Sequence, residues 1–134
     1  MVTAMRVMPD TNVLTSAALF PDSKFSLALA DAMQEHTLVI CSYILEELQE
    51  VFDRKFPDKV QQLDTFLSSL AYELCSTPDI RSDTPAMRDE DDRPILQAAI
   101  DSDVDVVLTG DKDFHAIGLD YPKIISPADF FTHP

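Results

Sequence analysis

Five short apolar stretches are separated by segments of helical periodicity, and this alternation limits the chain to very few architectures. Met5-Arg6-Val7-Met8 stops at Pro9-Asp10. Leu38-Val39-Ile40-Cys41 is apolar without a break. A weaker strand is expected near Tyr72–Cys75, Val104-Asp105-Val106-Val107-Leu108 is the clearest, and Ile124-Ile125 precedes Pro127. Strands that lack polar alternation are buried on both faces, as in parallel sheets covered by helices. Between them a helix is expected up to about His36. Ser42 is placed to cap a second one, with Ile44, Leu45, Leu48, Val51 and Phe52 as its apolar stripe. Asp58 opens a third through Leu70, Pro78 to Asp89 is a loop, and Ile95, Leu96, Ala99 and Ile100 mark a fourth. The expected fold is a three-layer α/β/α sandwich with a central, mainly parallel sheet. At 134 residues, 1–134 is expected to form a single domain.

Charge is the second constraint. The chain has 24 acidic and 10 basic residues, a formal net charge of −14, and nine of those acids lie between Asp89 and Asp113. A surface of this sign repels phosphate, so metal-free binding to nucleic acid through a basic face is disfavoured. Clustered carboxylates are also how proteins hold Mg²⁺ or Mn²⁺, and a bound cation inverts the local field. Cys41 and Cys75 sit in apolar surroundings without metal-ligand spacing and are expected to be buried, reduced thiols. No signal-peptide pattern opens the chain and no apolar stretch approaches ~20 residues, so a cytoplasmic protein without a membrane association is expected.

In an open α/β sheet, ligands bind at the carboxyl ends of the strands. Asp10 closes the first strand, and Asp111 and Asp113 follow the fourth across Thr109-Gly110. On a helical wheel Glu47 falls at the flank of the apolar stripe, whereas Glu46 and Glu50 face solvent. Asp92 precedes Ile95, Leu96 and Ala99 on the buried face of its helix. A carboxylate facing a core needs a partner, and a divalent cation shared by Asp10, Glu47, Asp92 and Asp111 supplies one. Taken singly, each has a plainer explanation: Asp10 or Asp92 as a helix cap, Asp111 and Asp113 as turn residues. Glu90, Asp101, Asp103 and Asp105 are expected to be solvated surface. The run from Asp101 fails as a calcium loop, because Val106 and Lys112 occupy the glycine and glutamate positions. With only two glycines a phosphate-binding loop is excluded, and His36, His115 and His133 lack ligand spacing.

Asp10-Thr11-Asn12 after the first strand, Ser42 to Leu48 on a helix, Asp91-Asp92-Arg93-Pro94-Ile95-Leu96-Gln97-Ala98-Ala99, and Thr109-Gly110-Asp111-Lys112-Asp113-Phe114 resemble the four signature blocks of PIN-domain nucleases, in order. The likeness extends to the toxin members of bacterial and archaeal toxin–antitoxin pairs. It implies an acidic site for one or two Mg²⁺ or Mn²⁺ ions and endoribonuclease activity on single-stranded RNA. It further implies a small antitoxin partner and a homodimer. Residue by residue, Asp10, Glu47, Asp92 and Asp111 match the acidic quartet, Asp113 is an additional ligand, and Asn12 and Thr109 are the supporting polar positions. Asp89 and Asp91 offer alternative registers for Asp92. Arg54, Lys55, Lys59, Arg81 and Arg88 are candidates for RNA contact. Two other readings use the same residues: a catalytically degenerate binding module, and a metal-dependent 5′-nuclease or phosphatase acting on DNA.

Overall fold

The computed structural model describes residues 4–130, and His133 lies outside them. Five strands form one sheet in the order β3-β2-β1-β4-β5: β1 (Arg6–Pro9), β2 (Thr37–Cys41), β3 (Glu73–Cys75), β4 (Val106–Leu108) and β5 (Lys123–Ile125). Every pairing is parallel. The helices are α1 (Thr11–Leu19), α2 (Lys24–Glu35), α3 (Ser42–Lys55), α4 (Val60–Ser69), α5 (Arg93–Asp101), α6 (Lys112–His115) and α7 (Pro127–Phe130). Right-handed crossovers put α1–α4 on one face and α5 and α6 on the other, and α1 accordingly packs on α2, α3 and α4. This is the expected three-layer sandwich, and no helix among the described residues is long and apolar enough to cross a membrane.

Pro9 has no N–H to donate, which normally bars proline from a central strand. Here β1 pairs with β2 only at Arg6 and Val7, so Pro9 extends past that ladder while still facing Leu108 of β4. The core gathers Val7, Met8, Leu38, Val39 and Ile40 from the central strands, Ile44, Leu48 and Phe52 from α3, and Ile95, Leu96 and Phe114 from the opposite layer. Leu45 packs against this core from a partly buried position, and Val51 is partly buried without joining it.

Several boundaries differ from the sequence expectation, each for a local reason. Ser42 does not cap α3. Its hydroxyl is hydrogen-bonded with that of Thr77, 3.0 Å away, and Thr77 Oγ1 accepts the Tyr43 N–H at 2.8 Å, so the cap comes from the strand-end segment after β3. Asp58 lies in a 3-10 turn, Pro57–Lys59, and α4 starts only at Val60. Val104 and Asp105 do not belong to β4. The Val104 N–H bonds to the Ala99 carbonyl and the Asp103 N–H to the Ile100 carbonyl, with Asp103 at φ 55. This is a Schellman closure of α5, in which an aspartate tolerates the left-handed conformation. Asp105 is not solvated surface either: it accepts the Arg6 N–H at 2.7 Å and the Tyr121 hydroxyl. Asp101 is paired, gripped by both terminal nitrogens of Arg81 at 2.8 and 3.0 Å. Glu90 is held by Arg93 at 2.9 Å. Cys41 is buried as expected, but Cys75, on the edge strand, is only partly buried, and both are free.

No helix or strand occupies the stretch between β3 and a 3-10 turn at Glu90–Asp92. It is nevertheless pinned. Thr84, buried, donates its hydroxyl to Gln97 and accepts the Arg81 N–H at 2.9 Å, while Arg93 bonds the carbonyls of Thr84 and Pro85 at 2.9 and 3.2 Å. Removing the hydroxyl strands a buried amide oxygen of Gln97, a loss of about 1–3 kcal/mol. Thr84→Val is therefore expected to lower the midpoint of denaturant unfolding by that amount without changing its slope.

Candidate functional site

The strand order reverses direction between β1 and β4, the place where α/β sheets open a crevice at their carboxyl edge. Asp10 leaves β1 there and its N–H bonds the Leu108 carbonyl of β4 at 3.1 Å. Asp10 is buried. It caps α1 by accepting the Val13 N–H on Oδ1 at 2.8 Å, and its Oδ2 accepts the hydroxyl of the fully buried Thr109. Thr109 Oγ1 in turn accepts the Asp111 N–H at 2.9 Å, and Asp111 Oδ1 accepts the Asp113 N–H at 2.9 Å, capping α6. The capping and site explanations are thus compatible. Each cap uses one carboxylate oxygen, and the chain of bonds Asp10–Thr109–Asp111–Asp113 sets the others.

Asp92 enters from the opposite direction, at the start of α5, and caps nothing. Its Oδ2 is buried without a hydrogen-bond partner. One oxygen from each of Asp92, Asp111 and Asp113 lies within 4.8 Å of the other two. Asp10 and Glu47 are not in that trio but stand close enough to act on it. Burial foremost, then the charges of Asp111, Asp89, Glu47 and Asp10, push the Asp92 carboxyl up to about 7. Burial likewise pushes Asp10 up to about 6, against the pull of its bonds from Thr109 and Val13 and with added repulsion from Asp111 and Glu47. Glu47, partly buried on α3, is also raised by burial and accepts the Thr11 hydroxyl. Desolvation, with the surrounding carboxylates, lifts the Tyr43 phenol to about 12.

Several carboxylates crowded out of water with an unpaired buried oxygen are unfavourable unless a cation joins them. The all-oxygen donor set suits a hard divalent ion such as Mg²⁺ or Mn²⁺. Asp92, Asp111 and Asp113 are the residues placed to hold it, with Asp10 and Glu47 beside them.

The remaining sequence candidates divide. Asn12 is exposed in the first turn of α1, and its side chain makes no hydrogen bond among the described residues. Thr109 is integral, as described. Asp89 caps the 3-10 turn by accepting the Asp91 N–H at 3.0 Å, and Asp91 is exposed, so Asp92 alone of that run points inward. Of the cations, Arg54 pairs with Glu50 at 3.0 Å, seven residues and about 10 Å of helix beyond Glu47. Lys55 and Lys59 are exposed farther on, and Arg81 is taken by Asp101 and Asp83. Only Arg88 reaches the carboxylates, its Nε donating to Asp113 Oδ1 at 2.9 Å. Two members of the constellation were not singled out from sequence. Thr11 lies inside the Asp10-Thr11-Asn12 block and orients Glu47. His115 Nε2 sits 2.9 Å from the Thr109 carbonyl, and its position one turn after Asp111 was its only signal.

Among curated proteins none matches the sequence significantly. The fold is similar to that of VapBC2 from Rickettsia felis, solved bound to a DNA fragment from its promoter. That match has a TM-score of 0.69 and 22% identity, and covers 90% of this chain and 97% of the other. It is also similar to a domain of a functionally unknown protein from Methanocaldococcus jannaschii, with a TM-score of 0.58, 17% identity, and coverage of 92% and 91%. The profile of the PIN domain matches residues 6–113, a span that runs from the start of β1 to the last carboxylate of the trio. The chain belongs to the PIN-domain family.

Proposed function

We propose that this protein is a metal-dependent endoribonuclease that hydrolyses phosphodiester bonds of single-stranded RNA, and that it is the toxin of a toxin–antitoxin pair. The observation that carries the reading is the Asp92 carboxylate, with its Oδ2 buried and unpartnered, brought within 4.8 Å of carboxylate oxygens of Asp111 and Asp113. A site whose ligands repel one another when empty is stabilised by the cation that its chemistry needs. Family membership supports nuclease chemistry, and the similarity to VapBC2 supports an antitoxin partner.

Asp92, Asp111 and Asp113 hold the ion in this reading. When bound it supplies a water of lowered pKa and neutralises charge developing on phosphorus. The Thr109 hydroxyl holds both acids, accepting the Asp111 N–H and donating to the Asp10 carboxylate, so the two strand ends keep one geometry during turnover. Glu47, held by Thr11 and raised by burial, accepts the proton of the attacking water.

The test is cleavage of labelled single-stranded RNA, single-stranded DNA and duplex RNA in Mn²⁺, in Mg²⁺ and in EDTA. Internal cuts in single-stranded RNA alone, lost in EDTA and regained on adding Mn²⁺, are expected. Activity that survives EDTA, or a preference for DNA, sinks the reading. Co-expression with the product of an adjoining small reading frame tests the toxin role, by asking whether growth inhibition is relieved.

A further inference from the structure

We propose that Arg88 is the phosphate-gripping residue of this site, a fixed guanidinium that holds a backbone phosphate of the substrate beside Asp113. The inference rests on the nuclease reading and adds to it the residue that lets so acidic a protein retain a polyanion.

Arg88 differs from every other arginine among the described residues. Arg6 bonds Glu73 and the Ser102 carbonyl, Arg54 bonds Glu50, Arg81 bonds Asp101 and Asp83, and Arg93 is spent on Glu90 and two carbonyls. None of these bonds reaches the carboxylate trio. Arg88 has one partner, Asp113, and uses only Nε to reach it. Its side chain is 86% exposed while that of Asp113 is 15% exposed, so the contact joins an outward arm to an inward ligand. With Nε engaged, the edge formed by the two terminal nitrogens faces outward without a partner. That edge presents parallel N–H donors at the spacing of two phosphate oxygens.

The arm is also preorganised. Met87, immediately before it, is buried at 7% exposure, and Asp89, immediately after it, caps the 3-10 turn leading to Asp92. Thr84 and Arg93 pin the segment upstream. The backbone that carries the arm is therefore held on both sides, and the guanidinium itself is tied at Nε to Asp113, so gripping a phosphate has less to order than a wholly free arginine would. In a chain of net charge −14, a cation fixed at the rim of the carboxylates is where an incoming phosphate meets attraction rather than repulsion.

The test compares wild type, Arg88→Gln and Arg88→Lys in three measurements: steady-state cleavage of a single-stranded oligoribonucleotide in Mn²⁺, equilibrium binding of the same RNA in Ca²⁺, and calorimetric titration with Mn²⁺ alone. Arg88→Gln is expected to raise KM and weaken RNA binding about tenfold or more, with a smaller change in kcat. Its salt dependence of binding should lose about one unit of slope. Mn²⁺ affinity should hold or rise, because Asp113 loses a competing cation, and Arg88→Lys should restore the slope but only part of the affinity. Unchanged KM and binding in Arg88→Gln overturn the proposal. So does a fall in Mn²⁺ affinity matching the loss of activity, which would make Arg88 a mere support for Asp113. RNA binding that depends on Arg88 in a protein that cleaves nothing removes the nuclease reading and keeps the inference. Cleavage indifferent to Arg88 does the reverse, and a wild type that neither binds nor cleaves removes both.

Discussion

Replacing Asp92 with asparagine is expected to lower RNA cleavage by roughly 10³-fold or more, the scale of removing one member of a set that acts as a unit. The same change should leave the metal-free protein at least as stable as wild type near pH 8. Asp92 is half-buried, caps no helix and donates or accepts no hydrogen bond through Oδ2, so its removal breaks no structural contact at that atom. What it removes is a charge that burial and four neighbouring carboxylates oppose, as its rise to about 7 records. Turnover in Mn²⁺ and thermal unfolding in EDTA check the two halves. Normal cleavage would exclude Asp92 from the chemistry. A markedly lowered unfolding temperature would mean that it serves the fold instead. The opposition of the two outcomes, activity lost while stability is kept, is what separates a ligand from a structural carboxylate.

The second large effect is linkage among pH, metal and stability. Asp10 at about 6 and Asp92 at about 7 are both raised above the ordinary aspartate value of 3.8. A carboxyl raised in the folded state binds its proton more tightly there than in the unfolded chain. Its stabilising contribution is complete below about pH 4 and is lost as pH rises through 6 and 7. In EDTA the unfolding temperature should therefore fall between about pH 5 and pH 8. Saturating Mn²⁺ at pH 8 should restore it, by an amount on the order of 10 °C at a hundredfold excess over Kd. Mn²⁺ affinity should climb over the same pH window, because the ligands must lose protons to bind. Asp10→Asn keeps an acceptor for the Val13 N–H and an amide opposite Thr109, so it should flatten the EDTA pH profile without unfolding the protein. A flat wild-type profile, or one with the opposite slope, would remove the case for a strained empty site.

Much of the site was legible because two periodicities carry it. Glu47 and Asp92 stood out as carboxylates on helix faces whose neighbours are apolar, and Asp10 and Asp111 as acids at strand ends. Of these, the fold brings Asp92 and Asp111 together with Asp113, while Asp10 and Glu47 stand beside that trio. The individual alternatives were less legible. Asp10 and Asp111 do cap helices, and a carboxylate has two oxygens, so local capping never excluded a second use. Asp105 was misjudged as surface, because its partners, the Arg6 amide and the Tyr121 hydroxyl, come from remote segments. Asp101 is exposed as expected, but its pairing was not legible: Arg81 is twenty residues distant and reaches it only after the pinned segment folds back.

Sequence by itself determined the alternation of strands and helices, the parallel sheet and the order of the acidic blocks, since these follow from burial patterns within a few residues. Tertiary structure decided where α3 takes its cap, where β4 begins, and which of five candidate cations stands at the carboxylates. Arg54 and Arg88 look alike in a sequence of net charge −14. One is paired along its own helix, and the other is carried by a buried methionine and a capping aspartate to within 2.9 Å of Asp113. A hydrogen bond between residues far apart along the chain depends on distances that only the packed core sets, and no local pattern encodes them.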